Sequence, residues 1–321
     1  MTTAPDKTHS AASPMRNEST VIMAMIAVLA VLPLVGVYPY FVMQALCFAL
    51  FACAFNLLIG FVGLLSFGHA MFLGTAGYAS AHAAKVWGLP PELCIIFGTL
   101  AAGAMGLIVG LIAIRRQGIY FSMTTLALAQ MIYFFYLQAK FTHGEDGIQG
   151  VPQGFFLGFL DISKPLVLFY VVLAIFVAGF MLIYRTINSP FGEILKAIRE
   201  NEPRAISLGY RTARYKLAAF MLSAALAGLA GATKVIVSQN ASLTDVRWEM
   251  SGEVVLMTLV GGLGTIFGPV VGAFVIIAMQ QYLAEFGQWV LVIQGVIFVA
   301  CVLAFRRGIV GELAKVLRRN L

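Results

Sequence analysis

Charge is what this sequence has least of. Only 11% of its 321 residues are Asp, Glu, Lys or Arg, against 60% hydrophobic residues and a mean hydropathy of +0.91. Soluble domains carry roughly 25% charged residues, so this chain cannot cover a water-exposed surface and reads as a polytopic membrane protein. Cysteine is scarce as well. Cys47, Cys53, Cys94 and Cys301 lie in apolar runs without close spacing or histidine partners, which argues against a disulfide framework or a metal site. No Gly-rich run leads into Lys-Ser/Thr, so the chain does not bind nucleotide through a P-loop, and it has neither an HExxH pair nor a dinucleotide fingerprint. No catalytic constellation emerges, and neither enzyme activity nor a cofactor is expected. The net charge of +7 would suggest nucleic acid in a soluble protein. Here it comes from a central loop and from Arg306, Arg307, Lys315, Arg318 and Arg319, both expected on the cytoplasmic face of a membrane. Membrane lipid, not nucleic acid, is the surface this composition fits.

What charge there is gathers in residues 185–216. Arg185, Lys196, Arg199, Arg204, Arg211, Arg214 and Lys216 stand there with Glu193, Glu200 and Glu202. Short loops rich in Lys and Arg stay cytoplasmic, so this segment anchors the topology. It also has the marks of folded structure: Ser189 as N-cap, Pro190 at the first helical position and Glu193 in the first turn. Ile194, Leu195, Ala197 and Ile198 supply an apolar stripe. Pro203 is expected to open a second short helix and Gly209 to close it in a left-handed conformation. Two amphipathic helices suit a docking element, while a solvated positive-inside loop is the plainer alternative.

Apolar runs of the roughly 20 residues needed to span occur at 20–37, 40–61, 64–86, 93–114, 119–138, 165–184 and 217–237. Residues 1–19 are polar and are expected to form a disordered cytoplasmic tail before a membrane domain at 20–305, with 306–321 a basic cytoplasmic tail. The link between the second and third runs is expected to be a tight turn at Gly60 and Gly63. With the 185–216 loop inside, Arg115 and Arg116 also fall inside and the 140–164 loop outside. Beyond Gln239 the count fails, because one long span at 251–282 and another at 289–305 would leave the basic tail outside. The sequence offers a way out in Gly261, Gly262, Gly264, Gly268 and Pro269. Broken backbone at membrane depth is tolerated where protein covers it or a cavity lies beside it, and transporters bind substrate at discontinuous helices. The expected fold is therefore all-α, a polytopic transmembrane helical bundle with a discontinuous, re-entrant helix in its C-terminal half: a half-helix at 251–260, a break, and a helix at 267–282 returning outward. A single kinked span is the alternative. Residues 58–63 and 259–264 echo one another, each followed by a Phe-Gly pair.

Polar groups inside the spans are costly unless they face protein or water. Asn56, Ser66 and His69 flank the 60–63 turn and are, with Gln130, Glu253 and the glycines of the break, the candidates for a translocation pathway. Each also has a structural reading: His69 as a histidine bonded to nearby backbone or serine, and Glu253 as a first-turn carboxylate behind Ser251. Lys85 and Lys234 are read as snorkelling cations. Small residues four apart, as in Gly106/Gly110, Ala224/Gly228/Ala232 and Gly268/Gly272, predict close helix packing.

The run Asn56–Ala70, NLLIGFVGLLSFGHA, resembles the first-half signature of permeases in branched-chain amino acid ABC importers. RRQGIYFSMTTL at 115–126, SPFGEILKAIRENEPRAISLG at 189–209 and the later GGLGTIFGPVVGA are similar to the same family, and the M-type (LivM-like) subunit resembles the chain most. The resemblance implies a multi-pass subunit of the bacterial cytoplasmic (inner) membrane. Its implied partners are a second permease in a heterodimer, two ATP-binding subunits and an extracytoplasmic substrate-binding protein. It also implies that residues 189–209 rest on an ATPase, with Ser189, Pro190, Glu193, Lys196, Arg199, Glu202, Arg204, Ala205 and Gly209 as the coupling set. The importer coupling motif, Glu-Ala-Ala and a following Gly, has its nearest equivalent in Glu202-Pro203-Arg204-Ala205 with Gly209. An ion-coupled secondary transporter for a small organic solute is the competing class, and the scarcity of membrane-embedded acids counts against it.

Overall fold

Within hydrocarbon, backbone N–H and C=O groups must be satisfied inside the segment, and in a chain this apolar the helix does so. The computed structural model describes residues 14–158, 160–283, 287, 289–304 and 308–316 and is a helical bundle. Helices α1 (Pro14–Val31), α2 (Pro39–Asn56), α3 (His69–Lys85), α4 (Pro91–Ala113), α5 (Ile119–Gln138) and α6 (Pro165–Ile187) come first. Two short helices follow, α7 (Pro190–Glu200) and α8 (Glu202–Ser207). The chain then forms α9 (Thr212–Ser238), α10 (Trp248–Gly261), α11 (Gly268–Leu283), α12 (Trp289–Ala304) and α13 (Gly308–Val316). Among the described residues, five segments are long and apolar enough to cross a membrane: Pro39–Val62, Pro91–Ala113, Ile119–Gln138, Pro165–Ile187 and Thr212–Ser238. Proline opens α2, α4, α6 and α7, where its missing N–H would have had no intrahelical partner.

Several boundaries differ from the sequence reading. Helix α1 starts at Pro14 and runs on from there, so 14–19 are helical where a disordered tail was expected, and residues 1–13 lie outside the described set. The tight turn expected at 60–63 is a longer irregularity. Leu57–Val62 is a π-helical turn that closes on Gly63 at φ 80°, and the chain stays non-helical until α3 begins at His69. The third span is thus shorter than 64–86. In the expected C-terminal tail, 308–316 is helical, while 305–307 and 317–321 lie outside the described residues. The 140–164 loop is partly structured: Ile148 and Gln149 pair antiparallel with Ala241 and Asn240, and Phe155 and Phe156 with Asp161 and Leu160.

Helix α2 runs through the centre of the bundle, with Ala45, Ala49, Phe51, Ala52, Ala54 and Phe55 all fully buried, and α6, α9, α10 and α11 pack around it. A second block joins α3, α4 and α9 through small residues. A Cβ built on Gly228 would lie 2.3 Å from the Ala102 Cβ, one on Gly106 2.5 Å from the Ala224 Cβ, and one on Gly231 2.1 Å from the Leu73 carbonyl oxygen. These glycines sit where helix backbones touch, as the spacing of Gly106 and Gly228 predicted.

The run 251–282 is not one continuous helix. Helix α10 ends at Gly261 and α11 begins at Gly268, and the two fold back against each other. A Cβ on Gly272 would lie 1.8 Å from the Met257 carbonyl oxygen, one on Gly261 1.9 Å from the Gly268 carbonyl oxygen, and Gln280 Nε2 donates to Glu253 Oε2 at 3.0 Å. Contacts between 261 and 268, 257 and 272, and 253 and 280 are those of an antiparallel hairpin. The chain reverses at 262–267, so α10 and α11 form a doubled-back pair.

Candidate functional site

The two echoing glycine segments meet in space. The Gly60 Cα faces Gly264 so closely that a Cβ on Gly60 would lie 3.0 Å from the Gly264 Cα. Asn56, the last residue of α2, bonds the two segments together: its Nδ2 donates to the Thr265 carbonyl oxygen at 2.8 Å and its Oδ1 accepts from the Gly264 N–H at 3.0 Å. Both ends of one amide are therefore spent on the backbone of a segment some two hundred residues away. Backbone groups released where a helix breaks need partners when buried, and Asn56 supplies one donor and one acceptor at 3% exposure. Thr265 completes the turn. Its hydroxyl donates to the Gly262 carbonyl oxygen at 2.8 Å and accepts from the Gly268 N–H at 3.1 Å, stitching the end of α10 to the start of α11.

The charged loop sits directly on this junction. Helix α7 begins as read: Ser189 Oγ accepts from the Gly192 N–H at 3.4 Å, Pro190 follows, and Glu193 stands in the first turn. Leu195 and Ile198 are buried, and α7 packs on the π-helical turn. From the last turn of α7, the Arg199 guanidinium donates to the Gly60 carbonyl oxygen. Its aliphatic stem passes Gly63, where a Cβ would lie 3.2 Å from Arg199 Cγ, and its Nη1 faces Gly264, where a Cβ would lie 3.4 Å away. One arginine thus touches the loop's own helix and both glycine segments. Helix α8 starts at Glu202, one residue before the Pro203 expected to open it, with Asn201 as N-cap, its side chain accepting from the Arg204 N–H at 3.1 Å. Gly209 does close it, at φ 89°. Glu202 then ties the loop to the bundle through Lys216 Nζ at 2.6 Å and Gln117 Nε2 at 3.1 Å. Ala205 is buried, whereas Ile206, Leu208 and Tyr210 are exposed beside the exposed Arg204. The Glu193–Lys196 pair, 2.8 Å, lies on the surface.

The other expected pathway residues do not converge here. His69 is fully buried, ringed by Phe51, Phe55 and Phe72, with Nε2 3.0 Å from Ser223 Oγ. That is the geometry of a core histidine bonded to serine. Ser66 is fully buried in the irregular stretch and accepts from the Gly68 N–H at 3.4 Å, while the neighbouring Leu65 carbonyl is held by Ser122 Oγ at 2.7 Å. Gln130 is half-buried on α5, and among the described residues no hydrogen bond links it to the junction. Glu253 is not a first-turn carboxylate. Glu249 occupies the first turn of α10, Glu253 bonds Gln280, and the Ser251 hydroxyl accepts from the Ala70 N–H at 2.9 Å. Lys234 does not snorkel either. It forms an ion pair with the buried Asp245 and lies 5.3 Å from the Phe48 ring centroid. Ser223, Asp245 and Gln280 were missed because each acquires its role from a residue on another element, and Thr265 because its hydroxyl acts only once the chain turns at 262–268. Only Thr265 had a local signal, its place inside the glycine run.

Residues 37–303 match the family model described as branched-chain amino acid transport system / permease component. The LivM high-affinity branched-chain amino acid transport permease of Escherichia coli K12 is 26% identical over 264 residues, covering 75% of this chain and 62% of that protein. The RbsC ribose import permease of Bacillus subtilis 168 is 28% identical over 273 residues, 76% of this chain and 81% of that protein. The LsrC autoinducer 2 import permease of Klebsiella pneumoniae is 28% identical over 195 residues, 59% of this chain and 54% of that protein. The chain spans about three fifths of the length of the Escherichia coli LivM relative. No solved structure matches. With a matching segment that takes in α2 through α12, both glycine segments and the charged loop between them, the chain belongs to the branched-chain amino acid transport system permease-component family.

Proposed function

We propose that the chain is one permease subunit of an ATP-binding-cassette importer for branched-chain or related amino acids in the bacterial cytoplasmic membrane. In this reading it pairs with a second permease, receives substrate from an extracytoplasmic binding protein, and rests its α7–α8 loop on one of two ATP-binding subunits. The observation that carries the reading is Arg199, which joins the cytoplasmic loop to Gly60 and Gly264 in one side chain. A loop that is only topogenic has no need of such a connection. Coupling between distant sites requires an element that both can bias, and α7 packed on the π-helical turn is that element. The α10–α11 hairpin enters from the extracytoplasmic face and returns to it, which leaves the basic tail inside. Asn56 with Gly261, Gly262 and Gly264 marks the closed cytoplasmic end of the pathway, with Glu253 and Gln280 further along the hairpin. The exposed Ile206 and Leu208 beside Arg204 form the patch that meets the ATPase, since apolar side chains exposed on a charged loop mark interaction surfaces.

Reconstitution with the partner subunits tests the class. Uptake should stop when ATP is removed while ion gradients are held, and uptake that survives would point to a secondary transporter. Within the complex, Arg199→Gln should keep the ATP-binding subunits in co-purification yet lower uptake at least tenfold. Leu208→Asp should release those subunits. Normal uptake in both variants would reduce the loop to a topogenic role.

A further inference from the structure

A groove opens where α4 gives way to α5, at the end of the bundle that carries the charged loop. It encloses about 740 Å³ and is lined by Leu111, Ile112, Arg115, Arg116 and Thr124. Its two halves differ in chemistry. Arg115 and Arg116 follow directly on the end of α4, both exposed, and neither forms an ion pair among the described residues. No Asp or Glu lines the groove. Gln117, the next residue, donates to Glu202 at 3.1 Å, but that carboxylate is already paired with Lys216 at 2.6 Å. The Thr124 hydroxyl is spent on the Tyr120 carbonyl at 2.7 Å, so the two guanidiniums are the groove's free donors. The other half is apolar. Leu111 and Ile112 are exposed in the last turn of α4, and Leu107 and Ile108, exposed as well, continue the same helix face one turn back.

Each half sets a demand on what fills the groove. Two neighbouring guanidiniums without carboxylates suit a phosphate, which arginine grips through paired N–H···O bonds. The Leu and Ile stripe that runs from them along α4 suits hydrocarbon. A free phosphate would answer only the first demand. A second membrane subunit laid over the groove would bury both arginines, at a cost that needs matched carboxylates to offset it. An anionic glycerophospholipid answers both, with its phosphate at the arginines and an acyl chain against α4, and basic pockets between transmembrane helices are sites for such headgroups.

We propose that this groove binds an anionic glycerophospholipid of the leaflet on the charged-loop side, its phosphate held by Arg115 and Arg116. The bound lipid then sits beside Gln117 and Glu202, one of the ties between the charged loop and the bundle. The test places the full chain, alone and with the subunits that co-purify with it, in phosphatidylcholine nanodiscs. The probe is a trace of phosphatidylglycerol with a photoreactive acyl chain. Labelling should concentrate on peptides of α4 and α5 that border the groove. It should fall about fivefold in Arg115→Gln or Arg116→Gln, the factor one basic residue contributes near anionic lipid. A matching phosphatidylcholine probe should label the same peptides less and respond to neither change, which shows that the fold is kept. Arg185→Gln, an exposed charge lost from the same end of the bundle, should leave labelling as it was, and so should added inorganic phosphate. Four results would overturn the proposal. Equal labelling by both probes would leave no preference for an anion, and an equal loss in Arg185→Gln would reduce the effect to general surface charge. Displacement by inorganic phosphate would assign the arginines to a free anion, and labelling lost when the co-purifying subunits are present would assign the face to a protein.

Discussion

Glycine serves opposite ends in two regions of this molecule. In the α3–α4–α9 block, Gly106, Gly228 and Gly231 sit inside unbroken helices and let backbones touch without interrupting either helix. At the junction of 57–63 with 262–267, glycine ends the helices instead. The backbone groups set free are then met by side chains, Asn56, Thr265 and Arg199. The difference bears on movement. A block held by shape has one packed arrangement, because interiors tolerate little change in volume. A junction held by a few hydrogen bonds can exchange each of them for another partner at a net cost of about 0.5–1.5 kcal/mol. The charged 185–216 loop is fastened to the second kind of region.

The comparison breaks most forcefully in the block. Gly231→Val would drive a side chain into the Leu73 backbone, 2.1 Å from its carbonyl oxygen, at or above the about 1–3 kcal/mol of an overpacked core. The expected result is a chain that fails to accumulate in the membrane, read by immunoblot of membrane fractions. A normal yield would show that the block is softer than its geometry. Next comes Asn56→Ala, which removes both bonds to the 262–267 turn. Thermal unfolding in detergent should show a loss of about 1–3 kcal/mol with the protein still made, and uptake should fall far more than stability. Asn56→Asp retains the acceptor for Gly264 but sets a buried carboxylate oxygen against the Thr265 carbonyl oxygen, so its loss of stability should be at least that of the alanine variant. A smaller loss would show that the bond to Gly264 outweighs that repulsion. At the small end, Glu193→Ala or Lys196→Ala removes an exposed pair worth within about 1 kcal/mol, and neither unfolding nor uptake should change measurably.

Much of the fold was legible because its signals are local. Runs of apolar residues gave α4, α5, α6 and α9 within a few positions, and Ser189, Pro190 and Gly209 marked helix ends through chemistry that acts within a turn. The reversal at 262–267 was legible for the same reason. The third span was misjudged at its start because Leu64, Leu65 and Phe67 are as apolar as any helical residue. Hydropathy does not register that π-helical hydrogen bonding at 57–62 and the left-handed Gly63 carry the chain out of the helix. The candidate site was half legible. Asn56, Arg199, Gly60 and Gly264 were all noticed, but on three separate arguments, and Ser66, His69 and Gln130 were grouped with Asn56 because they neighbour it in sequence or share a membrane setting. His69 turns to Ser223 in the core.

The sequence by itself determined that this is a membrane-spanning helical protein with a charged helix pair bounded by Ser189 and Gly209 and with two glycine-rich segments, since composition, periodicity and capping are properties of short stretches. Only the tertiary structure decided that the two interruptions are one junction, that Asn56 bonds a residue 209 positions away, that Arg199 reaches it from the loop, and that Lys234 pairs with Asp245. A hydrogen bond between distant segments leaves no periodic trace in either of them. It exists only where the packing of α2, α7 and the α10–α11 hairpin brings a donor and an acceptor within about 3 Å.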